Sequence, residues 1–189
     1  MGRVHVIRHG KPASTWGGHD DDPGLDEAGR EQARAVAAAL AVLPEGERPA
    51  RVVSSPLRRC RETAAPLAAL LGVEVEIELA VGEIPTPADL APEARPAWLK
   101  RAFAGDWSDI EGDRDYLAWT IEVAGALARY EGCAVFSHFV ALNAAVAAAQ
   151  GTGAVMAFRP DHASVTVFEV VDNRLRLVEK GREASTGVL

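Results

Sequence analysis

The sequence is poor in cysteine and aromatic residues, and it has no long apolar run. Cys60 and Cys133 are its only cysteines, which excludes a framework of several disulfides and a Cys-x-x-Cys zinc site. We expect both to be reduced, buried thiols. No stretch approaches the roughly 20 consecutive apolar residues of a membrane-spanning helix, and no apolar export segment of about 7–15 residues follows Met1. We therefore expect a cytoplasmic protein with no membrane partner.

Basic residues are outnumbered by acidic ones, and the formal net charge is −7. Binding to nucleic acid needs a basic face, so nucleic acid is not expected as a partner. The basic residues are nearly all arginine, which suits bidentate phosphate contacts, although a compositional bias explains most of them equally well. With 189 residues, of which 48% are apolar, the chain is expected to form one globular domain over residues 1–189.

Strand-like runs alternate with helical patterns along the chain. Strands are predicted at 4–7, 51–54, 73–79, 132–137, 164–170 and 175–178, and helices at 26–44, 56–71, 116–130 and 140–150. This order predicts an α/β fold, a three-layer sandwich whose mainly parallel sheet is flanked by helices. The closing hairpin is expected to add one antiparallel strand. The proline-rich segment 84–112 is predicted to be irregular and to cover the substrate.

Polar side chains follow four of the predicted strands. Because ligands of open α/β sheets bind beyond the carboxyl ends of the strands, these side chains should meet at one edge. The polar residues concerned are Arg8, His9, Ser54, Ser55, Arg58, Arg59, Glu83, Ser137 and His138, and Gly10 lies among them. Each alone is more often structural than functional, so the prediction of a site depends on their joint placement.

Two histidines, a carboxyl and arginines suit phosphoryl transfer. Arginine holds phosphoryl oxygens in a fork, and a neutral imidazole can attack phosphorus to form a phosphohistidine. A carboxyl group can protonate the leaving oxygen and later accept a proton from water. Gly10 has no side chain, so its backbone can approach a phosphate closely.

Five blocks of the sequence, in order, resemble the histidine phosphatase superfamily, which includes phosphoglycerate mutases and acid phosphatases. They are the tripeptide Arg8-His9-Gly10, residues 25–33, residues 54–64, Glu83-Ile84 and Ser137-His138. The resemblance implies that His9 is the nucleophile and Glu83 the proton donor. It implies that Arg8, Arg59 and His138 bind the phosphoryl group, and that no metal or organic cofactor is needed. The nearest metal candidate, residues 20–22 beside His19, is interpreted as a solvated loop.

The sequence departs from the family pattern at three places. Lys11 stands where an acidic residue is common, Phe139-Val140 replaces small residues and should narrow the pocket, and no Trp-Gly segment follows Glu83. We favour a phosphomonoester hydrolase that acts on a small phosphorylated molecule. The alternatives are a phosphoglycerate mutase-like phosphotransferase and a non-catalytic module that binds phospholigands.

Three further features of the sequence bear on the site. The apolar stripe of helix 56–71 turns Arg59 towards the strand ends and Arg58 towards solvent. Trp98 and Trp107 fit core anchors better than a substrate lid. The residues Arg159, Asp161 and His162 either reach the pocket or form an ordinary loop before the final hairpin, and the loop is the favoured interpretation.

Overall fold

A computed structural model describes residues 2–14 and 20–185. Its six described strands are β1 (Arg3–Arg8), β2 (Arg51–Ser54), β3 (Val75–Ile77), β4 (Cys133–Ser137), β5 (Val165–Val171) and β6 (Arg174–Glu179). They form one sheet in the order β3-β2-β4-β1-β5-β6. Strands β1 to β4 are parallel, whereas β5 pairs antiparallel with both β1 and β6. The predicted mainly parallel sheet with one antiparallel strand is confirmed.

Helices cover both faces of the sheet. They are α1 (Glu27–Ala41), α2 (Arg58–Leu71), α3 (Arg95–Phe103), α4 (Tyr116–Ala128) and α5 (Phe139–Gln150). Apolar residues of α1 and α2 pack on one face, and those of α3, α4 and α5 pack on the other. Residues alternate between the two cores along β1, where Val6 faces the second core and Ile7 the first. The three-layer sandwich is therefore confirmed. Within residues 2–14 and 20–185, no helix has both the length and the apolar character to cross a membrane.

Helix ends follow local signals in the sequence. The Asp26 carboxylate caps α1 by accepting a hydrogen bond from the Gly29 amide, as its position before the helix predicts. Helix α2 begins at Arg58, two residues later than its prediction at Pro56. The reason is that the Ser55 hydroxyl accepts from the Leu57 amide at 3.3 Å and holds that residue in an extended conformation.

The proline-rich segment 84–112 is more regular than predicted, because it contains α3. Trp98 and Trp107 are buried, with exposed fractions of 4% and 1%. The Trp98 indole donates to the Glu111 carbonyl at 2.8 Å, and its ring lies 5.7 Å from that of Tyr116. Both tryptophans are therefore core anchors, the interpretation favoured from the sequence.

Candidate active site

Hydrogen bonds join the carboxyl ends of three parallel strands. The amide of His9, just after β1, donates to the Ser137 carbonyl at the end of β4 at 3.0 Å. The Ser55 amide, just after β2, donates to the Phe136 carbonyl at 2.9 Å. The strand ends therefore hold their side chains in fixed relative positions at one edge of the sheet.

His9 is buried, and its backbone contact defines its tautomer. Its Nδ1 lies 2.8 Å from the Gly10 carbonyl oxygen, which can only accept, so Nδ1 carries the proton. The lone pair is then on Nε2, which accepts from Arg59 Nε at 3.3 Å. Burial, followed by the charges of His138 and the arginines, holds the pKa of His9 well below its ordinary value. The imidazole is therefore neutral at physiological pH.

Gly10 is clamped between two helices. Its amide donates to the Thr63 hydroxyl of α2 at 2.9 Å. A Cβ atom built on Gly10 would lie 2.6 Å from the Gly29 carbonyl oxygen of α1. The turn that carries His9 thus requires glycine because α1 approaches it so closely.

Arg59 links the two histidines. Its Nη2 donates to His138 Nδ1 at 3.2 Å, so Nδ1 carries the lone pair and Nε2–H donates to the Ser55 hydroxyl at 2.8 Å. The rings of His9 and His138 lie 5.3 Å apart. Burial and the nearby arginines hold the pKa of His138 well below its ordinary value, so this ring is also neutral.

Arg8 is buried beneath the same edge. Its Nη1 donates to the Pro160 carbonyl at 2.9 Å, and its guanidinium lies 5.1 Å from the centre of the Phe139 ring. Burial lowers the pKa of Arg8 to about 10, which still leaves it charged at neutral pH. Its buried Nε has no hydrogen-bond partner among the described residues, so this donor of the guanidinium is unpaired.

Glu83 lies beside His138 and is mostly buried, with a side-chain exposure of 14%. One carboxylate oxygen accepts from the Ile84 amide at 3.0 Å, and the other is 3.8 Å from His138 Nδ1. Burial raises the pKa of Glu83, against the opposing effects of Arg59, the Ile84 amide and Arg8. The environment therefore shifts the Glu83 carboxyl towards its protonated form.

The residues that depart from the family pattern occupy defined positions. Phe139 packs against Arg8 and against Phe103 of α3, with ring centres 5.5 Å apart. The Val140 amide hydrogen-bonds Glu83 and favours its charged form. Lys11 is exposed and pairs with the Asp26 carboxylate at 3.0 Å.

The structure brings all five predicted residues together and adds others. Arg59 is buried and Arg58 exposed, the orientation that helical spacing predicts. The hydroxyls of Ser55, which was expected at this edge but without a role, and of Thr63, which was not expected there, orient His138 and Gly10. Two sequence features could have indicated these roles. Ser55 lies directly before Pro56, at the turn into the helix, and Thr63 lies one helical turn after Arg59. The ring of His162 lies 5.9 Å from that of His9.

The described residues offer no cluster of three or more His, Cys, Asp or Glu side chains suited to a metal. His19, part of the candidate weighed from the sequence, lies outside the described residues. The Asp22 carboxylate from the same run accepts from the Arg58 amide at 2.8 Å and so caps α2. Cys60 and Cys133 are free and buried, as predicted.

The fold and this edge of the sheet define an enzyme of the phosphatase class. The sequence profile of the histidine phosphatase superfamily (branch 1) matches residues 4–182, so the chain belongs to that family. The resemblance noted from the five sequence blocks is thereby confirmed.

Individual proteins are similar to this chain in sequence or in fold. An uncharacterized protein of Mycobacterium tuberculosis (strain CDC 1551 / Oshkosh) is 37% identical over 112 residues, which are 57% of this chain and 49% of that protein. The match thus spans about half the length of this relative. Mycobacterial glucosyl-3-phosphoglycerate phosphatase has a similar structure, with a TM-score of 0.71, 24% identity, and coverage of 97% of this chain and 100% of that chain. Phosphoserine phosphatase from Entamoeba histolytica gives a TM-score of 0.75 at 19% identity, covering 96% and 98% of the two chains.

Proposed function

We propose that the protein hydrolyses phosphomonoesters of a small molecule through a phosphohistidine on His9. Glu83 is the proton donor, and Arg8, Arg59 and His138 bind the phosphoryl group. His138 does so from Nδ1: when the Arg59 guanidinium turns from this nitrogen to the phosphoryl oxygens, the Ser55 hydroxyl donates to Nε2 and the ring proton lies on Nδ1. The observation that carries the proposal is the tautomer of His9: Nδ1–H is committed to the Gly10 carbonyl, and Nε2 keeps its lone pair. The names of the two structurally similar phosphatases, glucosyl-3-phosphoglycerate phosphatase and phosphoserine phosphatase, also refer to small phosphorylated molecules.

In the first step, His9 Nε2 attacks phosphorus and the bond from phosphorus to the ester oxygen breaks. The carboxyl proton of Glu83 passes to that oxygen, which leaves as an alcohol. Burial raises the pKa of Glu83 and so extends towards higher pH the range in which this proton is present. Because Nδ1–H of His9 donates to the Gly10 carbonyl, the positive charge that develops on the imidazole is stabilised.

In the second step, water attacks the phosphoryl group and the Nε2–phosphorus bond breaks. The Glu83 carboxylate accepts a proton from the water, which restores both Glu83 and the neutral imidazole of His9. In both steps the phosphoryl oxygens carry charge that Arg8 and Arg59 can neutralise. Both guanidinium groups are already buried at this edge, so little reorganisation is required.

The proposal is tested by trapping the intermediate. Rapid quenching during turnover of p-nitrophenyl phosphate should leave an acid-labile phosphoryl group that mass spectrometry maps to His9. His9→Ala should lose both the label and activity, whereas His5→Gln, a substitution of the other histidine of the β1 region, should keep both. Release of inorganic phosphate, rather than transfer to an added alcohol, distinguishes hydrolysis from mutase-like transfer. A fully active His9→Ala enzyme would overturn the proposal.

A further inference from the structure

The turn that precedes β5 is bound directly to the end of β1. The Ala163 amide donates to the carbonyl oxygens of Arg8 at 3.0 Å and His9 at 3.3 Å. In return, the Arg8 guanidinium donates to the Pro160 carbonyl at 2.9 Å. Residues 160–163 are therefore held in a fixed position relative to the proposed nucleophile.

The same turn is also bound to the C-terminal part of the chain. The Asp161 amide donates to the Arg182 carbonyl at 2.8 Å, and the Arg182 guanidinium donates to the Asp161 carboxylate at 3.0 Å. The other oxygen of that carboxylate accepts from the His162 amide at 2.8 Å. The backbone of His162 is thus held from two sides, independently of its own ring.

Ala163 adopts a left-handed conformation, with φ of +54°. This region is uncommon for a residue with a side chain, and such strain persists where the surrounding contacts determine the backbone. Here the strained turn presents the imidazole of His162 to that of His9, with ring centres 5.9 Å apart and planes inclined by 52°.

His162 and His138 lie beside different groups of charged residues around His9. His138 lies with Arg59 and Glu83, whereas the charges that act on His162 are those of Arg8, Asp161, Asp26 and Lys11. The His162 side chain is half-buried, and within the described part of the chain no hydrogen bond or ion pair engages its ring. Burial, with Arg8, lowers the pKa of His162 to about 4, so the neutral ring offers one N–H donor.

We propose that His162 is a further phosphate-binding residue, whose imidazole hydrogen-bonds the phosphoryl group from the side of His9 away from His138 and Glu83. A phosphoryl group at His9 Nε2 has oxygens spread around the nitrogen–phosphorus axis, so donors confined to one side cannot reach all of them. Arg59 and His138 supply one side, and His162 supplies another. This assignment rests on the proposed function in that it takes the phosphoryl group to occupy the space next to His9.

The test measures phosphate binding without turnover. Isothermal titration of His162→Ala with inorganic phosphate and with vanadate should show binding weakened about 10- to 100-fold, the range for a hydrogen bond to a charged group. His162→Asn and His162→Gln place an amide donor near the positions of Nδ1 and Nε2, and one of them should recover most of the affinity. Arg159→Ala is the matched control, because this exposed residue lies in the same loop. It should bind phosphate as the wild type does.

Thermal unfolding of the variants separates a binding role from a structural one. Loss of the half-buried, unbonded ring should leave the unfolding temperature near that of the wild type. Unchanged phosphate and vanadate binding in His162→Ala would overturn the inference, as would a wild type that binds neither anion. A failure of the proposed function would give a different result. Phosphate would still bind, but no phosphoryl label would form on His9.

Discussion

Arg59 donates from Nε to Nε2 of His9 at 3.3 Å, so the guanidinium covers the lone pair that the proposed reaction uses. A phosphoryl group that approaches His9 must take the place of this contact, and its oxygens then meet the same guanidinium. The arginine is therefore positioned to hold a phosphoryl group before and after transfer. Its buried position in the first turn of α2 fixes the guanidinium in this direction.

The first prediction compares Arg59 with its neighbour. Arg59→Ala should cost roughly 2–4 kcal/mol in transition-state stabilisation, by analogy with the loss of an oxyanion donor. Arg58 is exposed and pairs with Glu62 at 2.6 Å, so Arg58→Ala should change stability and kinetics little. Steady-state kcat/KM of both variants checks this. If kcat/KM fell in Arg58→Ala and stayed normal in Arg59→Ala, the phosphate-binding role would belong to Arg58 instead.

The second prediction concerns Glu83. Glu83→Gln should lower the rate on alkyl phosphates by about 10²–10⁴-fold, because an alkoxide leaves poorly without a proton. The loss should be smaller on p-nitrophenyl phosphate, whose leaving group needs little protonation. Glu93→Gln, at an exposed carboxylate in the segment that follows, is the control and should retain full activity.

The pH dependence gives a second measure of the same role. Since burial raises the pKa of Glu83, the wild type should exceed Glu83→Gln most at mildly acidic pH, where the carboxyl is protonated. The ratio should fall as the pH rises through that pKa, and ionisation of the substrate cancels in the ratio. Equal losses on both substrates at every pH would contradict the proton-donor role.

The third prediction uses the close contact at Gly10. Gly10→Ala would place a Cβ atom 2.6 Å from the Gly29 carbonyl oxygen, so the turn that carries His9 must move. We expect a loss of about 10²-fold in kcat/KM, the order for a displacement of about 1 Å at a reacting group.

Gly125→Ala is the control for Gly10→Ala, because a Cβ atom on this α4 residue meets nothing within 4 Å. It should stabilise the protein by about 0.5–1 kcal/mol with unchanged kinetics. Normal activity of Gly10→Ala would show that the turn tolerates the shift.

Much of this site follows from local sequence signals. Three site segments directly follow buried strands, so the rule for open α/β sheets places them at one edge. Consecutive residues of a helix differ by about 100° in direction, and this alone separates the exposed Arg58 from the buried Arg59.

Other features depend on contacts that no local pattern encodes. The position of His162 requires the positive φ of Ala163 and the pairing of Asp161 with Arg182, which lies 21 residues later. Helix α3 was not predicted, because the prolines around it indicated an irregular segment. Pro96 lies at the start of that helix, where an amide donor is not needed, so proline there marks a beginning rather than a break.

The last prediction concerns stability in acid. His9 and His138 are neutral in the folded protein because burial lowers the pKa of each, whereas in the unfolded chain each has a pKa near 6.5. Below pH 6.5 the unfolded chain therefore binds more protons than the folded protein, so the free energy of unfolding falls as the pH falls. Each such histidine contributes up to about 1.4 kcal/mol per pH unit in this range.

His138→Gln, which keeps a donor towards Ser55, should show a shallower decline of the free energy of unfolding between pH 7 and pH 5 in urea unfolding. Arg58→Ala, which removes no histidine, should decline as steeply as the wild type. An unchanged slope in His138→Gln would mean that the ring of His138 is charged in the folded protein, and the tautomer assigned from Arg59 would then be wrong.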